Sequence, residues 1–377
     1  MNAPKPSATL IYVALGPNPA PTLNLFASYA LEKLPGSSAV LVTDGVENWE
    51  ASFPGAVISY GDSDRNPAIV LAEGREVSRR FVANGYWVRT LERIFALEKA
   101  CEYIRDERPV IHFESDCFSQ VTPEVLSELE LRCRGTAVPS DTPSKGCASI
   151  LFAPSRQSLL KGIEDLADIL GQQSSWISDM ELLGLGIRSG VIEELPTRPE
   201  HGWPIRGFSK GGGATSSKLI FDASALGLYF FGRDPLHTEG KILGGYQHVR
   251  FEHDISSWQW DIQPSKPPND ADYLVELTAG QFGHVVPANL HVHSKELLPA
   301  LKKNSDFWNR LIREANGTTT RLERTGNSSY QFIGLTTSEK LGYFWSQNHH
   351  HKLILVRSFV QRMFAILTRS PGEGEKW

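Results

Sequence analysis

Apolar residues run without a break from Leu10 to Leu15 (LIYVAL), and this β-rich run predicts a strand. GPNPAP then supplies turn residues, and Leu23, Phe26, Ala27, Ala30, Leu31 and Leu34 recur at helical spacing, with Gly36 placed to end the helix. A second apolar run, AVLVTD (39–44), follows at once, so the chain opens strand, helix, strand with short connections, as in an α/β unit built on a parallel sheet. AVIS (56–59) fits a third strand. From Trp87 the apolar positions Leu91, Ile94, Phe95, Ala96, Cys101 and Ile104 keep a helical period. Pro109 then starts PVIHF, a short buried strand that runs into Glu114-Ser115-Asp116. ASILFA (148–153) reads as another buried strand, and SLLKGIEDLADIL (158–170) as an amphipathic helix with Leu159, Ile163, Leu166 and Leu170 inward.

The pattern changes after about residue 185. Residues 196–218 are rich in Gly, Pro and Ser and read as one long loop. Segments 249–262 and 272–293 are β-like, and LKKNSDFWNRLIREA and KLILVRSFVQRMFAIL near the end look helical. The expected layout is one main α/β domain over residues 1–300 and a helical extension over 301–377, with SPGEGEKW as a frayed tail.

Composition narrows the function classes. With 377 residues, 41% hydrophobic and 21% charged, the chain has the make-up of an ordinary globular protein and enough length for a full core. A net charge of -5 offers no basic field for nucleic acid, so no nucleic-acid partner is expected. The cysteines at 101, 117, 133 and 147 have no CxxC pairing and no metal-ligand spacing, and read as reduced thiols of a cytoplasmic protein. The apolar run at 10–15 is too short for a signal-peptide core or a membrane span.

Two segments carry candidate chemistry. In PVIHFESDCF a buried strand delivers two carboxylates, and an extended chain would put Glu114 and Asp116, two apart, on one side. The crevice beyond the carboxyl ends of parallel strands is where ligands bind, and hard oxygen donors there suit Mg²⁺ or Mn²⁺ carrying a diphosphate. The same tripeptide also reads as a plain acidic turn. In NLHVHSK, His291, His293 and Lys295 share one face if the segment is extended, giving two imidazoles for an ion and an ammonium for phosphate oxygens, or else a polar strand edge. His349, His350 and His351 lack nearby carboxylates and read as a solvated turn.

HFESD after a strand, followed much later by the His/Lys motif, resembles the layout of GT-A-type glycosyltransferases, which take nucleotide-sugar donors. The resemblance spans about residues 8–295 and implies a Rossmann-type mixed sheet flanked by helices. It makes Glu114-Ser115-Asp116 the DxD-like element, with Glu in the first acidic place, and assigns Asp116 together with His291 or His293 to a Mn²⁺ or Mg²⁺ ion. Glu114 and Lys295 would then lie at the donor diphosphate. SDMELLGLG (178–186) resembles the acidic helix start below the acceptor site. FDASALGLYFFGRDP (221–235) resembles a motif of bacterial polysaccharide glycosyltransferases.

The resemblance thus names Asp179 and Asp222 as catalytic candidates, with Glu181 the alternative to Asp179 near the acceptor hydroxyl, while a helix cap at Ser178 or Asp179, and another at Asp222, is the other reading. Arg89 and Arg93, four apart on one helix face, stand as donor-binding candidates or as partners of Glu92 and other acids. Asp44 ends the second strand, where such folds touch the nucleoside, or forms an Asp-Gly turn. Gly211-Gly212-Gly213 suits a loop that closes over substrate, and it does not follow a strand as a dinucleotide fingerprint would.

The implied reaction is sugar transfer to a glycan or glycolipid acceptor in bacterial surface polysaccharide synthesis. The basic amphipathic pattern of 352–367 fits packing on the main domain or peripheral contact with the inner face of the cell membrane. Two alternatives stay open: a metal-dependent phosphoesterase using the same ligands, and a non-catalytic carbohydrate-binding or assembly protein, with Trp258, Trp260 and the aromatic 221–231 stretch lining a sugar groove.

Overall fold

A computed structural model describes residues 6–16, 23–73, 86–205, 217–224 and 226, together with the strand segments 237–238, 241–242, 246–247, 259–264, 273–278, 284–291, 322–325 and 329–332. The expected opening is present: β1 (Thr9–Ala14), α1 (Leu23–Lys33), β2 (Ser38–Thr43), β3 (Ala56–Ser59) and α2 (Pro67–Glu73) follow in order. Then come α3 (Tyr86–Tyr103), β4 (Val110–Phe113), β5 (Cys117–Ser119), α4 (Pro123–Arg132), β6 (Ala137–Thr142), β7 (Lys145–Gly146), β8 (Ile150–Ala153), α5 (Arg156–Gly171), α6 (Asp179–Ser189) and β9 (Glu193–Leu195).

The main sheet is mixed, in the order β3-β2-β1-β4-β8-β6-β7, with β9 paired to β6. Strands β3, β2, β1 and β4 are parallel, whereas β8 is antiparallel to both β4 and β6. Chain order runs outward from β1 to β2 and β3, then returns to place β4 on the other side of β1. The carboxyl ends of β1 and β4 therefore flank a topological switch point, where an α/β sheet opens a ligand crevice. Both faces are covered: Leu10, Tyr12, Ile111 and Phe113 pack on one side with α1 and α4, and Ile11, Val13, Val110 and Leu151 pack on the other with α3 and α5.

Beyond β9 the structure departs from the expected long loop over 196–218. Trp203–Ile205 form β10, and Ser217–Ile220 form β11. These belong to a second sheet, β10-β11-β17-β16-β15, with β15 (Gln259–Pro264), β16 (Tyr273–Thr278) and β17 (His284–Pro287). Pro204 does not forbid β10, because that strand lies at the end of the sheet, where a missing N–H costs no ladder bond. The β-like stretch 272–293 holds β16 and then two further strands. After Ala288 the chain leaves β17 and continues as β18 (Asn289–His291), which pairs antiparallel with β5.

Short hairpin strands at His237–Thr238, Lys241–Ile242 and Tyr246–Gln247 (β12, β13, β14) form their own sheet. Leu322–Thr325 and Ser329–Phe332 (β19, β20) form a hairpin between the two segments expected to be helical, and those segments lie outside the described residues. The chain divides into two compact units, Met1–Arg233 with His248–Thr319, and Asp234–Gln247 with Thr320–Trp377. Glu114, Asp116, Asp179, Asp222 and His291 all belong to the first. Among the described residues no helix is long and apolar enough to cross a membrane. Cys101, Cys117, Cys133 and Cys147 are all free and buried.

Candidate active site

Strand β4 delivers Glu114 to the crevice, but the acidic tripeptide is not extended. Cys117 N–H donates to the Glu114 carbonyl at 2.9 Å, so Glu114-Ser115-Asp116 folds into a tight turn between β4 and β5. The two carboxylates still reach one place, because that turn is closed over by β18. His291 stands opposite Cys117 in the β18–β5 pair, and its ring lies between the acids. Its Nε2 is 2.8 Å from a Glu114 oxygen and 3.4 Å from an Asp116 oxygen. Glu114 is deep, while Asp116 keeps 30% of its side chain exposed at the mouth.

Burial alone would raise the Glu114 carboxyl, but Arg93 and His291 outweigh it and hold the group at about 2. Arg93 reaches over from α3, with Nη2 3.1 Å from the other Glu114 oxygen. Burial likewise opposes ionisation of Asp116, and His291 overcomes it and keeps that carboxyl low. For His291 burial disfavours the charged ring, yet Glu114 and Asp116 together raise it well above the ordinary histidine value. A proton on Nε2 thus balances the two carboxylates.

The other ring nitrogen faces a different set. Nδ1 lies 2.8 Å from the Ala223 carbonyl and 3.8 Å from Cys147 Sγ, and that thiol also approaches the Ala223 carbonyl at 2.9 Å. Donor atoms of Glu114, Cys147 and His291 fall within 4.8 Å of one another, a grouping that spacing along the chain does not announce. Cys147 sits on the Nδ1 side, behind the ring, whereas Nε2 faces both carboxylates. The set in front, two carboxylates and one imidazole nitrogen with an edge open to solvent, suits a hard or borderline divalent ion.

Asp179 is the first residue of α6. Ser178 caps that helix, accepting from Glu181 N–H, and the Glu181 carboxylate accepts from Ser178 N–H in return. Capping thus consumes Ser178 and Glu181 and leaves Asp179 for another role. Asp179 is buried, and its Oδ1 has no hydrogen-bond partner among the described residues. Burial raises its carboxyl to about 6, with Arg93 pulling it down and Glu114 pushing it up, so it belongs to the same electrostatic cluster.

Asp222 follows β11 and is fully enclosed. One carboxylate oxygen accepts from Leu226 N–H at 2.9 Å, and the other from His291 N–H at 2.9 Å. Asn289, the first residue of β18, accepts from Asp222 N–H and donates to the Asp222 carbonyl, which also accepts from Ser149 Oγ.

At the end of β2, Asp44 accepts from Gly16 N–H at 3.0 Å, and Arg89 Nη1 is 3.9 Å away. Arg89 also pairs with the buried Glu92 at 3.0 Å, and Glu92 holds Arg65 at 2.6 Å. Asp44 and Arg89 therefore form one pair at the β2 end, and Arg93 joins Glu114 rather than a solvent-face acid. His293, Lys295 and the 211–213 glycines lie outside the described residues. Sequence reading missed Cys147, Ser149 and Asn289; only Asn289 gave a signal, as a polar residue at the head of the quoted NLHVHSK segment.

No family model and no curated protein matches the sequence. Among solved structures, mouse xyloside xylosyltransferase 1 in its apo form is similar at 11% identity and a TM-score of 0.36, over 50% of this chain and 85% of that one. The galactosyltransferase LgtC with donor and acceptor sugar analogs gives 13% identity and 0.33, over 50% of this chain and 73% of that one. The glycosyltransferase GlyE of Streptococcus pneumoniae TIGR4 gives 10% identity and 0.33, over 50% of this chain and 45% of that one.

Proposed function

We propose that this chain is a metal-dependent glycosyltransferase with a GT-A-like catalytic domain over residues 1–300, using a nucleotide-sugar donor and a glycan or glycolipid acceptor. One observation carries the reading: Glu114, Asp116 and His291 Nε2 converge at the switch-point crevice of the main sheet. Asp116, Glu114 and His291 would hold a Mn²⁺ or Mg²⁺ ion, which neutralises the charge of a departing diphosphate when bound.

The protein's own groups do the rest. Asp44 and Arg89 at the β2 end receive the nucleoside and its phosphate, with Lys295 joining at the diphosphate. Arg93 keeps Glu114 ionised and oriented. Asp179, held near 6, is matched to accept the proton of the acceptor hydroxyl at neutral pH. The acceptor belongs, on this reading, to bacterial surface polysaccharide synthesis, and the chain works at the cytoplasmic side, with residues 301–377 as an extension.

Incubation with nucleotide sugars and Mn²⁺, monitored for release of free nucleoside diphosphate, tests the reading. Release that requires both the ion and one particular nucleotide sugar supports it. Phosphate release from simple esters without nucleotide-sugar preference would instead mark a phosphoesterase.

A further inference from the structure

Asp222 was open to a catalytic role or a capping role, and its surroundings suit neither alone. Its amide N–H, its carbonyl and both carboxylate oxygens are all engaged inside the protein, by Asn289, Ser149, Leu226 and the His291 backbone. Both carboxylate oxygens face inward on a buried residue and not toward a substrate. The next residue completes the arrangement, since the Ala223 carbonyl meets His291 Nδ1 at 2.8 Å. A carbonyl oxygen can only accept, so this contact requires the proton on Nδ1. A neutral ring held this way has its lone pair on Nε2, on the side of Glu114 and Asp116.

We propose that Asp222 and Ala223 form a clamp that grips His291 at its backbone N–H and its Nδ1–H, fixing ring direction and tautomer so that Nε2 faces the ion. Asp222 is on this account a positioning residue. The inference rests on the ion site proposed above and adds the part of the chain that sets its aim. The Asp222 carboxylate accepts from the Leu226 and His291 N–H groups, one on each oxygen. An asparagine of the same size turns a donor toward one of them. Asn289 braces the clamp because it bonds both backbone atoms of Asp222 while starting the strand that carries His291.

The test uses the full chain labelled with ¹⁵N-histidine. In the wild-type protein the ring shifts of His291 should report a protonated, exchange-protected Nδ1, both without an ion and with Mg²⁺, and with Mg²⁺ an unprotonated Nε2. Asp222→Asn should expose the His291 amide to exchange and weaken Mn²⁺ binding by about 10- to 100-fold, as loss of an orienting partner does at other metal sites. An unprotonated Nδ1 in the wild-type protein overturns the proposal, whether or not the variant folds. So does an Asp222→Asn protein that keeps wild-type Mn²⁺ affinity and a protected His291 amide. If the wild-type chain binds no divalent ion, the sugar-transfer reading loses its ion, while exchange protection of the His291 Nδ1–H and amide protons still decides the clamp: slow exchange of both supports it and fast exchange of either overturns it.

Discussion

Glu114 lies between two cationic partners: one carboxylate oxygen is 2.8 Å from His291 Nε2, and the other is 3.1 Å from Arg93 Nη2. A carboxylate this deep is costly unless paired, and here the pairing outweighs the burial. The Arg93 contact therefore stabilises the fold as well as shaping the site.

Replacing Arg93 by Met keeps much of the packing and removes one partner. Denaturant unfolding at pH 7 should show a loss of about 2 kcal/mol, the scale of a hydrogen bond to a charged group. The sign with pH follows from Glu114, which titrates at about 2 in the folded chain against an ordinary 4.5. Its folded value is depressed, so the stability it contributes is complete above about 4.5 and is lost as pH falls toward 2. The gap between wild type and Arg93→Met should narrow below pH 4. A gap independent of pH would mean that Arg93 acts through packing alone.

Asp179 has the opposite sign. Its carboxyl is raised from 3.8 to about 6 by burial, so the folded chain holds that proton more tightly than the unfolded one. The benefit of the protonated form is complete below 3.8 and is lost as pH rises through 6, leaving an ionised group that costs stability at neutral pH. Asp179→Asn should therefore be more stable than wild type at pH 8, by about 2–3 kcal/mol at roughly 1.4 kcal/mol per pH unit, and equal to it near pH 3. Sugar transfer should fall sharply in the same variant while donor binding persists. Equal stability at both pH values would remove the buried-acid account, and full turnover would remove Asp179 from proton transfer.

Helix α6, which carries Asp179, packs tightly through a glycine. A Cβ at Gly184 would run into the Ser144 carbonyl in the turn between β6 and β7. Because the obstacle is backbone, it cannot rotate away, and Gly184→Ala should cost about 1–3 kcal/mol, as overpacking does. Thermal unfolding would check this, and an unchanged Tm would mean the helix shifts freely on that turn.

Much of this architecture is legible in the sequence because it rests on local pattern. The apolar runs at 10–15 and 39–44 are strands, the 3.6-residue period from Trp87 is α3, and of the two caps open for α6, Ser178 is the one used. Direction is not encoded in the same way: ASILFA reads as buried strand whether β8 runs parallel or, as found, antiparallel to β4. Loop composition hid β10, since an edge strand tolerates proline. The acidic motif was visible, and of its two readings the turn is the one found, but its cover by β18 was not visible, because that strand comes from far along the chain. Cys147, Ser149 and Asn289 join the site through tertiary contacts of the same long range, for which no spacing rule exists.

The central claim is that the Glu114, Asp116 and His291 cluster binds a divalent ion that in turn holds a nucleotide diphosphate. It is tested most directly by thermal unfolding of wild type and Asp116→Asn with nucleoside diphosphates and their sugars, each with and without Mn²⁺, since a ligand bound to the folded state raises Tm by mass action. Asp116 stands at the partly exposed mouth, so the variant should fold with a Tm near that of wild type. The account predicts a Tm rise for wild type with one nucleotide only when Mn²⁺ is present, and no rise for Asp116→Asn. A rise of equal size without the ion, or one retained in the variant, would contradict it.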